Sequence, residues 1–136
     1  MSFALDLKLA ADSFVVGDLK LSHVVLMNDA RFPWVILVPR RPGLVELTDL
    51  DADERGRLTE EMTRAAEVLR DWPGVEKINL GLLGNIVRQL HAHVVGRREG
   101  DAAWPGPVWG SGVAQAYEPG EAQTRLAWLR NRFGVG

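Results

Sequence analysis

The chain has 136 residues, 46% of them hydrophobic and 25% charged, with a formal net charge of −2, the balance of an ordinary globular domain with material for a hydrophobic core. The slight acidity excludes a broad cationic surface for nucleic acid polymers, and the lack of cysteine excludes disulfides, thiolate metal sites and cysteine nucleophiles. The segment Met1–Asp6 lacks the positive start and apolar core of a signal peptide, and no stretch approaches the roughly 18 apolar residues of a membrane helix, so a cytoplasmic location without a membrane partner is expected.

Phe3 to Ala11 fits a short helix, but Leu5, Leu7 and Leu9 also fit strand alternation. Phe14 to Leu19 reads as a strand and turn. His23–Met27 and Trp34–Val38 are stronger strands, rich in β-branched residues, with a turn ending at Pro33 between them. The clearest helix follows: Asp51 caps it, Glu54 stands in capping-box position, and Leu58, Met62, Ala65, Ala66 and Leu69 share one face before Trp72-Pro73-Gly74 stops it. Val75–Leu83 and Ile86–Val95 are predicted strands separated by Gly84-Asn85, and Trp104–Gly110 is an irregular loop. A helix is predicted over 121–133, with Ala122, Leu126, Leu129 and Phe133 on one face. Paired strands and segregated helices predict an α+β fold with a mostly antiparallel sheet of about five strands, in one domain over residues 1–136.

The chemistry concentrates in Gln89-Leu90-His91-Ala92-His93. In a strand, Gln89, His91 and His93 project from one face and Leu90, Ala92 and Val94 from the other. Burying two imidazoles and an amide without partners costs about 1–3 kcal/mol per group, so a polar pocket is the economical reading. An imidazole can attack phosphorus, and a neighbouring imidazolium can stabilise phosphate charge or protonate a leaving group. A bare His-x-His also occurs as two surface histidines on an edge strand. A shared metal ion is another reading, but it needs a third ligand where only His23 remains among the histidines. No metal and no cofactor is assigned.

The flanking residues favour the polar-pocket reading. The alternating segment resembles the signature of the histidine triad superfamily, with Gln89 at the first histidine position, His91 at the middle and His93 at the third. Val24–Asn28, Val35–Pro39 and the helix capped by Asp51 are similar in order and spacing to the family's nucleotide-binding half. Gly84–His93, followed by Asp101 and Trp104–Gly110, resembles a bacterial subgroup with glutamine in first place. The likeness covers roughly residues 1–115.

The resemblance implies a HIT-like fold and a homodimer with joined sheets. It also implies hydrolysis or transfer of a nucleoside monophosphate group from a dinucleoside polyphosphate or a nucleoside phosphoramidate, with a purine nucleotide as the expected ligand. His91 would form the nucleotidyl-histidine, His93 would stabilise phosphate charge and assist the leaving group, and Gln89 would orient the site. Asn28, Asn79 and Asn85 would bind the nucleotide. Gln89 cannot exchange a proton as an imidazole does, though its amide can donate and accept; a nucleotide-binding or sensing module without turnover is therefore the alternative. An adaptor dimer using the Trp-rich loop is a third reading. Arg40-Arg41 and Arg97-Arg98 read as solvated strand-end charges, and Trp104 and Trp109 as covers for apolar surface.

Overall fold

The computed structural model describes residues 2–136. The ambiguous first segment is a helix, α1 (Leu7–Ala11), because the Asp6 side chain caps it by accepting from Lys8 N and Leu9 N. Strands β1 (Ser13–Asp18), β2 (Ser22–Met27) and β3 (Trp34–Pro39) follow as an antiparallel meander. Helix α2 (Ala52–Arg70) carries the expected Asp51–Glu54 capping box, and buries Leu58, Ala65 and Leu69. Strands β4 (Lys77–Gly81) and β5 (Ala92–Arg97) complete a five-stranded antiparallel sheet in the order β1-β2-β3-β5-β4. Helix α3 (Pro119–Phe133) begins two residues before its predicted start and ends where expected.

Strand alternation divides the hydrophobic residues between two faces. Val24, Leu26, Val35, Leu37, Ala92 and Val94 pack with Ala65, Leu69, Leu126, Leu129 and Phe133, so α2 and α3 cover one face. Val25, Trp34, Ile36, Val38 and Val95 pack on the other with Leu9, Phe32 and Val108. This second face is covered by the one-turn α1, the residues before it and several loops, including those of Val87 and Val108, and the cavity of interest opens there. The buried Glu61 carboxylate on α2 accepts from Leu21 N and Ser22 N at 2.8 and 2.9 Å, fixing the β1–β2 turn on the opposite layer.

The predicted strands at 75–83 and 86–95 are both shorter in the structure. The ladder ends at Leu37–Ala92 on one side of β5 and at Gly81–His93 on the other. Before Ala92 the chain leaves the sheet, and Leu90 N bonds instead to Leu44 O. The link from β4 to β5 is thus a long loop over 82–91 rather than a tight Gly84-Asn85 turn. Among the described residues, no helix is long and apolar enough to cross a membrane.

Candidate active site

His93 lies on β5 opposite Ile36 of β3, and its ring projects from the less covered face of the sheet. Its Nδ1 lies 3.0 Å from the indole Nε1 of Trp34. Because an indole N–H only donates, His93 Nδ1 must accept and the ring proton must sit on Nε2. Trp109 and His91 stand edge-on to the ring at 5.4 and 4.9 Å between centroids. This burial, reinforced by the neighbouring His91, pushes the His93 pKa from 6.5 down to about 3.

His91 sits one residue before the strand and is 95% buried (5% exposed). Its Nδ1 is 2.6 Å from the backbone carbonyl of Gln89. A carbonyl only accepts, so the proton is on Nδ1 and the lone pair is on Nε2. A neutral imidazole with its other nitrogen tied to the backbone is chemically a nucleophile with a fixed tautomer.

The two histidines line one cavity of about 330 Å³ together with the apolar Leu9 and Met27 and the loop 83–87, which includes Asn85. A second cavity, also about 330 Å³, shares Asp12, Met27, Trp34 and Gly110 with the first and includes Asn28. Asn28 Oδ1 accepts from Tyr117 N at 2.9 Å. On the other side, His91 borders a cavity of about 460 Å³ with Glu46, Arg88 and Gln89.

Two predicted site residues lie elsewhere than the strand pattern implies. Gln89 does not line the cavity that His91 and His93 share. Its side chain turns to the N-terminal segment, accepting from Asp6 N and donating to Ala4 O, both at 2.8 Å. The loop conformation at 82–91 breaks the alternation that would have aligned it with His93, and only its backbone carbonyl reaches His91. Asn79 borders neither of these cavities; its Oδ1 accepts from Arg97 Nη1 at 2.8 Å.

Arg97 corrects another expectation. It is buried rather than solvated, in a two-point ion pair with Asp101 at 2.8 and 2.9 Å. The guanidinium holds the Asp101 carboxyl down at about 2. Asp101 also accepts from Arg98 N and Ala103 N, so it anchors the loop that carries Trp109. That loop is fastened at its far end by Asp29 and Arg31: Arg31 bonds Asp29 and, through Nη1, Ser111 O. Trp34, Trp109, Asp29 and Arg31 carry no functional signal in the sequence, because each acts through a partner far along the chain. Among the described residues no cluster of three or more His, Cys, Asp or Glu side chains comes together to hold a metal.

The HIT domain family model matches residues 8–100, the segment containing both histidines. The chain belongs to the histidine triad family. Its structure is similar to that of a histidine triad protein from Sinorhizobium meliloti 1021, at 47% identity and a TM-score of 0.92 over 96% of each chain. A histidine triad protein from Bradyrhizobium japonicum is 42% identical, with a TM-score of 0.93 over 97% of this chain and 98% of the other. One from Marinobacter aquaeolei VT8 is 40% identical, with a TM-score of 0.95 over 98% of both chains. No curated protein matches the chain. Within this histidine triad fold, Trp109 and the segment holding it lie beyond the matched residues.

Proposed function

We propose that the chain is a nucleotide hydrolase or nucleotidyl transferase in which His91 attacks the α-phosphate of a dinucleoside polyphosphate or nucleoside phosphoramidate. Family membership supports a nucleotide-binding hydrolase or transferase in general. The observation that carries the finer reading is the His91 Nδ1–Gln89 O bond, which leaves Nε2 free to attack. His91 Nε2 forms the bond to phosphorus as the bond to the leaving group breaks, and water then releases the nucleoside monophosphate. His93 donates its Nε2–H to a phosphate oxygen.

A purine nucleoside occupies the cavity beside the apolar Leu9 and Met27 in this reading. Asn28 and Asn85 contact the nucleotide, and Asn79 contributes at one remove by holding Arg97. Gln89 orients His91 through its main chain. We further propose a cytoplasmic homodimer, supported by the β4 edge strand, which carries the half-exposed Leu80 and is followed by exposed Leu82. Light scattering should return twice the protomer mass of 15.0 kDa.

The test is incubation with a diadenosine polyphosphate and with adenosine phosphoramidate, with product analysis and acid-free trapping of a nucleotidyl-histidine by mass spectrometry. A covalent adduct on the peptide containing His91 is the expected result; its absence during turnover overturns the assignment. The glutamine at the first triad position favours one alternative, a nucleotide-binding module, for which nucleoside monophosphate binds and neither substrate is consumed.

A further inference from the structure

The Trp34–His93 bond narrows what this site can process. His93 meets Trp34 and Ile36 from β3, Gly81 from β4, His91 from its own segment and Trp109 from the following loop. None of these is a carboxylate that would favour an imidazolium. The charged groups on the cavity wall, Lys8 and Asp12, are paired with each other at 2.9 Å. With Nδ1 occupied by the indole proton, His93 has one proton, on Nε2. Giving it up would leave an imidazolate, so His93 can lend a hydrogen bond but cannot complete a proton transfer. The His91 Nδ1 proton is engaged by Gln89 O and is not free for a leaving group.

Leaving groups differ in what they require. When His91 Nε2 bonds to phosphorus and a P–O bond breaks, a phosphate, polyphosphate or sulfate departs with the electron pair as a stable oxyanion and needs no proton. When a P–N bond breaks, the nitrogen must gain a proton as it leaves, or depart as a strongly basic amide anion.

We propose that Trp34, through its indole N–H to His93 Nδ1, is a positioning residue that restricts His93 to hydrogen-bond donation, and that the site therefore processes nucleotidyl groups carried on oxyanion leaving groups in preference to those carried on amines. The inference rests on the catalytic reading above and selects between its two substrate classes.

The experiment has two arms. Long-range proton–nitrogen NMR of the intact protein reads the His93 tautomer directly, and rates are compared for adenosine phosphosulfate, a diadenosine polyphosphate and adenosine phosphoramidate. The expected result is a neutral Nε2–H ring that does not titrate through the physiological range, with the phosphoramidate slower by about 10²-fold or more, the scale of a missing general acid. Trp34→Phe should free Nδ1, give His93 an ordinary titration and move the rate ratio toward the phosphoramidate below neutral pH. A His93 proton on Nδ1, an ordinary titration in the parent, or a phosphoramidate rate matching the others overturns the proposal and leaves the catalytic reading standing. If none of the three substrates is consumed while the NMR result is as expected, the catalytic reading fails and the substrate preference falls with it. Trp34 is a core residue, so if Trp34→Phe does not fold, the parent's NMR spectrum and rate ratio decide.

Discussion

His91 and His93 stand 4.9 Å apart, ring to ring, and use the same nitrogen in opposite senses. Nδ1 of His91 donates to Gln89 O, whereas Nδ1 of His93 accepts from Trp34 Nε1. In their neutral forms the two adjacent imidazoles thereby leave different atoms unbonded, one a bare nitrogen and the other an N–H. The difference is set by their partners, one in the backbone and one across the sheet.

Replacing His91 by Ala should lower turnover by several orders of magnitude while calorimetric affinity for a nucleoside monophosphate changes only slightly. In the proposed binding mode the apolar and amide contacts to the nucleotide lie on other residues. Undiminished turnover in His91→Ala would remove it as the nucleophile.

Gln89→Ala should cost about 1–2 kcal/mol of stability, since it deletes hydrogen bonds to Asp6 N and Ala4 O. It should raise KM more than it lowers kcat: the N-terminal segment walls the cavity through Leu9, while the bond to His91 comes from the main chain. A loss confined to kcat would show that the amide itself acts on the reacting groups.

Acid should destabilise the fold in a window defined by His93. The unfolded residue takes up a proton as pH falls through 6.5, whereas the folded one stays neutral down to about 3. Between these values the unfolded state binds the extra proton, so stability rises with pH across the window and levels off above it. Urea midpoints measured across this range should show a flatter profile for His93→Asn than for the parent.

Asp101→Ala leaves the Arg97 guanidinium buried without its carboxylate, a change that costs roughly 3–5 kcal/mol. Chemical denaturation should show that loss, and proteolysis should begin in the loop after β5 before the sheet is cut. A near-neutral effect would mean that Arg97 finds water once its partner is gone.

Gly81→Ala tests the seat of Trp109. A Cβ there would stand 2.7 Å from Cη2 of the indole, closer than atoms tolerate, so the ring must shift off His93. Increased solvent exposure of Trp109 by fluorescence quenching, together with an upward move of the His93 pKa by NMR, is the expected pair of results. A Trp109 that becomes exposed while the His93 pKa stays where it was would show that Trp109 does not keep His93 dry.

The elements that build the sheet and its helical cover were readable because their signals are local. β2 and β3 announce themselves by β-branched runs, α2 by Asp51 and Glu54 together with its apolar stripe, and α3 by Ala122, Leu126, Leu129 and Phe133. The site was readable as far as His91 and His93, since their cluster of polar side chains in an apolar stretch is local too. The boundary at Ala92 was not. Ile86, Val87 and Leu90 continue a strand-like composition, and only the loss of pairing on both sides ends β5. Likewise Arg97 reads as a solvated charge until the loop brings Asp101 back against it, and the indole of Trp34 meets His93 across 59 residues of sequence.

The strap formed by Asp29, Arg31 and the loop around Trp109 makes the dryness of His93 depend on residues remote from its own strand. Residues 8–100 carry His91, His93 and the Trp34 indole, whereas Trp109, the other indole against His93, lies beyond them. Transplanting that segment alone into another scaffold would move His93 into a wetter environment, with one of its two indole neighbours missing. Conversely, exchanging only the stretch around Trp109 would retune the proton affinity of His93 without altering any residue of the matched segment.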